Sequence, residues 1–128
     1  MNLTTPTLTL TTLVNAINSG DLEQALALYE PDAVFVAEPG VVVSGKEAIR
    51  EALSGMMMAK PSLATQESAS LQNNDVVLHH ANWTMTALDP EGNQISLRGQ
   101  SADILRRGAD GNWRIAVDNP WGTAIVPV

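Results

Sequence analysis

The chain has 128 residues, no cysteine and 45% hydrophobic residues, which suffices for one domain whose core needs no disulfide or structural metal. Fourteen acidic against seven basic residues give a net charge of −7, the wrong sign for binding nucleic acid or an anionic membrane surface. The lack of cysteine also excludes thiolate nucleophiles, iron–sulfur clusters and cysteine–zinc sites.

The first predicted helix runs from Pro6 to Ser19. Thr5-Pro6 is a suitable pair for the N-cap and first helical position, and Ser19-Gly20 is a typical stop. Apolar residues recur at helical spacing between residues 10 and 17, although residues 7–11 alternate as in a strand. Residues 1–14 carry no Lys or Arg and no apolar run approaches 18 residues, so we expect a cytoplasmic protein without a membrane span.

Two further helices and a hairpin are predicted before Pro61. Asp21-Leu22-Glu23-Gln24 resembles a capping box that opens a short helix extending to Tyr29. Residues 33–37 are β-prone, and they pair with residues 41–43 across a Pro-Gly turn. Ser44-Gly45-Lys46-Glu47 resembles a second capping box, which opens a third helix that ends before Pro61.

The second half of the chain is predicted to be an antiparallel meander of four strands. Turn signals separate the strand-like segments at residues 73–75, 89–92 and 108–111. Helices followed by strands indicate a single α+β domain over residues 1–128, with a curved antiparallel sheet around three N-terminal helices.

Residues 76–87 alternate, yet neither predicted face is fully polar. A sheet with helices on one face and apolar residues on the other needs a second cover, so we expect a homodimer. His79 and His80 are adjacent in this strand and point to opposite faces, so they cannot hold one metal together. No metal site is predicted, and the motifs of nucleotide hydrolysis, serine hydrolases and zincins are absent.

Two acidic residues lie where the strand pattern predicts interior positions. Asp103 has the parity of Leu97 and Leu105, and Asp118 shares a face with Ala116 at the end of the last strand. Burial disfavours the charged carboxylate and raises its pKa, which suits a general acid or base near neutral pH. The alternative is structural: Asp118 caps the turn that follows it, and Asp103 pairs with an arginine.

Several segments together carry a resemblance to a known superfamily. They are Gly20-Asp21-Leu22-Glu23, residues 25–29, Asp32-Ala33, residues 45–49, residues 103–106 and residues 110–115. Over nearly its whole length the chain resembles the nuclear transport factor 2-like superfamily, in the branch of SnoaL-like polyketide cyclases and ketosteroid isomerases.

The resemblance implies a cone-shaped α+β fold and no cofactor. Asp103 falls where the isomerases keep a protonated aspartic acid that donates to the enolate oxygen. Their first-helix tyrosine corresponds to Leu13 and their base to Glu38, while Asp118 corresponds to the cavity-facing acid of the cyclases. The related epoxide hydrolases pair an arginine with an aspartate, which here would need a bulge at Gly99 to align Arg98 with Asp103.

Two functions follow as hypotheses. In the first, an enzyme takes a small apolar molecule with a carbonyl, epoxide or hydroxyl group, Asp118 is the general base, and Asp103 is the hydrogen-bonding acid. In the second, the chain is a non-catalytic dimeric domain that binds a ligand or assembles with a partner. The residues expected to line the substrate site are Tyr29, Glu38, His79, Trp83 and Trp121.

Overall fold

The computed structural model describes residues 2–125, which form three α-helices and six β-strands. The elements in chain order are α1 (Pro6–Ser19), α2 (Leu22–Leu26), β1 (Tyr29–Glu38), β2 (Val41–Ser44), α3 (Lys46–Met58), β3 (Ser62–Asn73), β4 (Val76–Leu88), β5 (Gln94–Arg107), β6 (Trp113–Asp118) and a final 3₁₀ helix (Gly122–Ile125). None of the helices in this part of the chain has the length and apolar character to cross a membrane.

The six strands form one open sheet in the order β2-β1-β6-β5-β4-β3. The predicted meander is confirmed, because β3, β4, β5 and β6 pair antiparallel with their neighbours. The sheet as a whole is mixed rather than antiparallel, since β1 runs parallel to β6. This pair joins the two halves of the chain, and β-bulges in several strands help to curve the sheet around the helices.

Helix α1 begins and ends at the predicted residues. The Thr5 side chain accepts a hydrogen bond from the Leu8 N–H, Pro6 occupies the first turn, and Gly20 closes the helix in the left-handed conformation with φ 71°. The threonines of α1 are tolerated because its apolar face packs in the core and Thr9 Oγ1 donates to the Trp113 carbonyl at 2.8 Å.

Two local predictions about the other helices were wrong. Helix α2 ends at Leu26, and Tyr29 already belongs to β1 because the Ile115 N–H donates to the Leu28 carbonyl at 2.8 Å. Ser44 does not cap α3. Gly45 occupies the N-cap with φ 86°, a conformation that favours glycine, and no side chain bonds to the helix start.

The core lies between the helices and the inner face of the sheet. Fully buried side chains from each layer meet there, among them Ile49, Leu53, Val77, Leu105, Trp113 and Ile115. The alternation predicted for β4 is confirmed, with Val77, His79 and Trp83 buried and Val76 and His80 exposed. The fold is therefore an α+β cone whose inner surface is lined by the odd-numbered residues of β4 and their partners on β5.

Candidate active site

A cavity of about 590 Å³ lies between α1, α3 and the inner face of the sheet. This volume is within the range of roughly 300–1,000 Å³ that is typical of small-molecule sites. Most of the wall is apolar and comes from both layers, including Leu13, Ile17, Leu53, Met56, Phe35 and Met85. Among the described residues, no Lys or Arg lines this cavity. The lining therefore suits an uncharged, mostly apolar ligand better than an anion.

The polarity of the cavity differs between its two ends. The exposed side chains of Thr7, Thr11 and Glu38 mark the open end. Glu38 lies at this end, at the turn between β1 and β2. The closed end is formed by His79, Asp103 and other buried polar groups. A bound molecule would reach these groups only after losing most of its water.

Asp103 and Asp118 face each other at the closed end. They are 7% and 8% exposed, and they continue the antiparallel register in which Ile104 pairs with Val117. The Ala102 N–H donates to the Asn119 carbonyl at 2.8 Å, which extends this ladder past the acids. The two carboxyl groups are near enough for the charge of Asp118 to act on Asp103. Both acids border the cavity, and burial of such a pair favours the state in which only one of the two carboxyl groups is ionised.

A β-bulge in β6 directs Asp118 inward. Leu105 pairs with Ile115 whereas Ile104 pairs with Val117, so Ala116 is the extra residue. Without it, Asp118 would lie on the face opposite to Ile115. The sequence placed Asp118 on the face of Ala116, so its inward position was expected but the bulge that produces it was missed.

Among residues 2–125, neither acid has an arginine partner, contrary to the structural alternative for Asp103. Asp103 Oδ1 instead accepts from the Asn119 N–H at 2.8 Å and so anchors the segment after β6. It is thus Asp103, rather than Asp118, that caps this turn. The nearby arginines are used elsewhere, since Arg106 pairs with Glu30 and Arg114 with Asp110.

Burial governs the protonation of the pair. Loss of water raises the pKa of Asp103 well above its usual value, and the neighbouring charge of Asp118 raises it further. The pKa of Asp118 is also raised by burial, but hydrogen bonds from Tyr29 and Asp103 oppose that rise. The Tyr29 hydroxyl donates to Asp118, which favours ionisation of Asp118 before Asp103.

Tyr29 differs from its predicted position on the cavity wall. Its side chain is 1% exposed and lies behind Asp118, where its hydroxyl donates to Asp118 Oδ2 at 2.5 Å. Desolvation raises the pKa of Tyr29 well above its usual value, and the charge of Asp118 adds to the effect. Tyr29 therefore contacts the acid pair and not the cavity. Sequence reasoning missed this contact because it assigned Tyr29 to a helix.

His79 borders the cavity directly opposite Asp103 in the β4–β5 register. Its Nδ1 hydrogen-bonds the Ser70 hydroxyl at 2.7 Å, which orients the ring from β3. Burial lowers the pKa of His79, and the neighbouring His80 lowers it further, so the ring is neutral at pH 7. A neutral imidazole beside the acids can donate or accept one hydrogen bond.

Two tryptophans close one side of the cavity. The rings of Trp83 and Trp121 meet edge to face with centroids 5.4 Å apart. Trp83 Nε1 donates to the Pro120 carbonyl at 2.7 Å, and Trp121 Nε1 donates to the Val36 carbonyl at 3.2 Å. Both rings line the cavity. Their bonds fix the segment after β6 across the sheet.

The arginine–aspartate arrangement of epoxide hydrolases is not formed. The β4–β5 register has no shift at Gly99, and Arg98 pairs with Thr84 on the outer face. Gly99 serves a different purpose, because a Cβ there would lie 2.7 Å from the Trp83 ring. Within residues 2–125, no cluster of three or more His, Asp or Glu side chains could hold a metal ion.

Comparison with known proteins agrees with this architecture. The family model of the SnoaL-like domain matches residues 10–116. No curated protein matches the chain significantly. A nuclear transport factor 2-like superfamily protein from Salmonella enterica serovar Typhimurium is 18% identical, with a TM-score of 0.78 over 87% of this chain and 83% of that one.

Two other solved structures show the same fold. The ketosteroid isomerase-like protein of Erwinia carotovora atroseptica is 18% identical, with a TM-score of 0.76 over 91% of this chain and 92% of that one. A candidate dehydratase of the same superfamily from Streptomyces avermitilis is 17% identical, with a TM-score of 0.76 over 88% and 89%. The family match spans most of the chain, and the solved structures reproduce its helices and curved sheet. The chain belongs to the SnoaL-like domain family, and it shares its fold with solved structures of the nuclear transport factor 2-like superfamily.

Proposed function

We propose that this protein binds a small, uncharged, mostly apolar molecule in the cone and transfers a proton with the Asp103–Asp118 pair. The observation that carries the proposal is the arrangement of the pair: two carboxyl groups lie buried face to face at the closed end of an apolar cavity, and no Lys or Arg of the described chain lines it. Two acids that share a proton offer a base and an acid to one bound molecule.

The roles of the two acids follow from their surroundings. Asp118, the member that ionises first, accepts a proton from the substrate as general base. Asp103, which keeps its proton, donates a hydrogen bond to the oxygen on which negative charge develops. His79 and the two tryptophans bind and orient the molecule from β4 and from the segment after β6.

The reaction class follows from this chemistry. Proton transfer of this kind suits an isomerisation, cyclisation or elimination next to a carbonyl group. Structural neighbours named as ketosteroid isomerase-like and as a candidate dehydratase support an assignment to this group of reactions. Because fold alone does not fix function, the proposal rests on the site.

The binding part of the proposal is tested by thermal stabilisation. We expect uncharged cyclic ketones and enones to raise the melting temperature, whereas carboxylates of the same ring skeleton do not, since no cation lines the cavity. Leu13→Trp narrows the cavity and should remove the stabilisation, and Asn15→Trp, on the exposed side of α1, serves as its control. Stabilisation that survives Leu13→Trp would place the ligand elsewhere.

The catalytic part is tested with Asp118→Asn and Asp103→Asn. Retained binding with turnover lowered by roughly 100-fold or more supports acid–base catalysis. Asp75→Asn removes an exposed carboxylate and is the matched control. Binding without turnover in the wild-type protein would favour the second function, a non-catalytic ligand-binding domain. The cavity position of Leu13, where the isomerases have a tyrosine, is the observation that favours this alternative.

We also propose a homodimer formed through the outer face of the sheet. Five apolar side chains form one continuous row in register across β3, β4, β5, β6 and β1 on the side away from the helices. They are Leu71, Leu78, Ile104, Val117 and Val34. The row is partly or fully exposed in the single chain and is typical of a surface that a second copy covers.

The dimer proposal is tested by sedimentation. We expect particles of twice 13.6 kDa at micromolar concentration. Ile104→Glu places a charge in the middle of the row and shifts the protein to monomer, whereas Asn15→Glu on α1 does not. A monomeric wild-type protein would overturn the proposal.

A further inference from the structure

We propose that Tyr29 is a positioning residue that keeps the negative charge of the acid pair on Asp118. The inference deepens the proposed function, because it explains how two similar carboxyl groups acquire different roles. It rests on the hydrogen-bond donors that surround each carboxyl group.

The two acids have different donors. Asp118 Oδ2 accepts a hydrogen bond from the Tyr29 hydroxyl at 2.5 Å, and the Tyr29 side chain is fully buried. Asp103 Oδ1 accepts the Asn119 N–H at 2.8 Å, and the Ser101 hydroxyl adds a weaker contribution. A hydrogen bond to an ionised oxygen is stronger than one to a neutral group, so each donor favours charge on its own acceptor. The short bond from Tyr29 places the charge on Asp118.

No other ionisable group near the pair competes with Tyr29. His79, the only such residue that faces it from β4, is neutral at pH 7. Helix α1 contains no ionisable residue, and its neighbour α3 contributes Ala52, Leu53 and Met56 to the cavity. Glu38 lies at the exposed end. Within the described part of the chain, the position of the negative charge therefore depends on the hydrogen bond from Tyr29 to Asp118 and on the donors to Asp103.

Removal of the hydroxyl reverses this balance. In Tyr29→Phe, Asp118 loses its donor while Asp103 keeps the Asn119 N–H. The proton then moves to Asp118, the charge moves to Asp103, and the proposed base is neutralised. Because a favourable contact with the ionised pair is lost, its first apparent pKa also rises, by about one unit or more.

Carbon-13 NMR of the aspartate side-chain carboxyl groups tests the inference in the ligand-free protein. Asp103→Asn and Asp118→Asn assign the two signals. At pH 7 we expect an ionised shift for Asp118 and a protonated shift for Asp103, with both shifts exchanged or moved toward each other in Tyr29→Phe. Thr9→Val removes an equally buried hydroxyl that does not contact the pair, and should leave both signals in place. Unchanged signals in Tyr29→Phe, or an ionised Asp103 in the wild-type protein, would overturn the inference.

A second measurement covers the case in which Tyr29→Phe does not fold. Tyr29 is the only tyrosine in the chain, so biosynthetic 3-fluorotyrosine is incorporated at this position alone. Fluorine makes the phenol more acidic and a stronger donor, so the first apparent pKa of the pair should fall, opposite to the effect of Tyr29→Phe. The fluorine-19 signal should follow the ionisation of Asp118. A rise, or no response, would contradict the inference.

The outcome is separable from that of the proposed function. Charge placement is read without a ligand, whereas the proposed function depends on binding and turnover. If the enzyme is active, Tyr29→Phe should lower kcat more than it changes KM and should move the acidic limb of the pH–rate profile upward. A purely structural role would lower stability without moving that limb.

Discussion

Carboxyl groups occupy two contrasting settings in this protein. On the surface, Asp110 contacts Arg114 at 2.8 Å and Asp75 contacts Arg107 at 2.6 Å, where water surrounds both partners. In the cavity, Asp103 has another acid as its neighbour, and the lining that the structure describes contains no Lys or Arg. The pKa of Asp110 is held far below its usual value by its arginine, whereas the pKa of Asp103 is raised by burial.

The difference shows that the partner and the solvent, rather than the residue type, decide what an aspartate can do. A surface pair keeps its charge over the whole physiological pH range and contributes little chemistry. A buried acid pair loses some stability when it ionises, because its raised pKa values reflect an unfavourable charge in the folded protein. The two settings should therefore respond in opposite ways to pH.

The largest expected effect is a pH-dependent gain in stability in Asp103→Asn. Because the pKa of Asp103 is higher in the folded than in the unfolded protein, the folded state binds more protons between the two values. The free energy of unfolding therefore falls as the pH rises through this window. Asp103→Asn should remove that loss, by about 1.4 kcal/mol for each unit separating the two pKa values.

Urea unfolding, followed by tryptophan fluorescence between pH 4 and 9, measures this effect. His79 opposes the slope, since its lowered pKa makes stability rise with pH, but it contributes equally to both proteins. The difference between wild type and Asp103→Asn is thus the quantity to compare. Asp75→Asn makes the same change of charge at the surface. The difference in the free energy of unfolding between wild type and Asp75→Asn should not grow as the pH rises. If the free energy of unfolding varies with pH in the same way for wild type and Asp103→Asn, the pKa of Asp103 is not raised in the folded protein.

Local signals in the sequence predicted much of the scaffold. The Thr5-Pro6 start and the Ser19-Gly20 stop defined α1, because caps depend on a few neighbouring residues. The alternation in β4 predicted which side of the strand is buried, and so placed His79 and Trp83 on the inner face. Parity likewise predicted the inward position of Asp103.

The remaining features depend on contacts between distant parts of the chain. The parallel pairing of β1 with β6 and the bulge at Ala116 leave no mark in the local pattern, since Ala116 is not a residue that signals a bulge. The contact of Tyr29 with Asp118 joins residues 89 positions apart and exists only because of that pairing. Sequence reasoning could therefore name both acids but could not predict what surrounds them.

A smaller effect is expected from Gly99→Ala. This variant tests whether Trp83 and Trp121, which close one side of the cavity, exclude water from the buried acid pair. The new methyl group would lie 2.7 Å from the Trp83 ring, so the ring must move and strain its bond to the Pro120 carbonyl. Overpacking of this kind costs about 1–3 kcal/mol. Loosening the segment after β6 should also admit water and lower the first apparent pKa of the acid pair.

Chemical unfolding and carboxyl NMR give the two readouts for Gly99→Ala. Gly55→Ala is the matched control, because no atom within 4 Å opposes a methyl group there and alanine favours the helix. We expect the control to be neutral or stabilising. If Gly99→Ala lowers stability but leaves the pKa in place, the wall supports the fold without controlling the hydration of the acids.

The smallest effect is expected from Asp110→Asn, which removes the acid paired with Arg114. Its effect on stability should depend on pH in the opposite sense to that of Asp103→Asn. The folded pKa of Asp110 is depressed chiefly by its hydrogen bond with Arg114, so its contribution is present above the unfolded pKa and is lost as the pH falls below it. The melting temperature of Asp110→Asn should thus lie slightly below that of the wild type at pH 7, and the gap should be smaller at pH 2–3. Differential scanning calorimetry at these pH values measures the gap.

Asp32→Asn, at an exposed acid with no ion pair within residues 2–125, should show no gap at either pH. A gap for Asp110→Asn that widens on acidification would mean that the surface acid, like the buried pair, is destabilised by its charge, and the contrast between the two settings would fail.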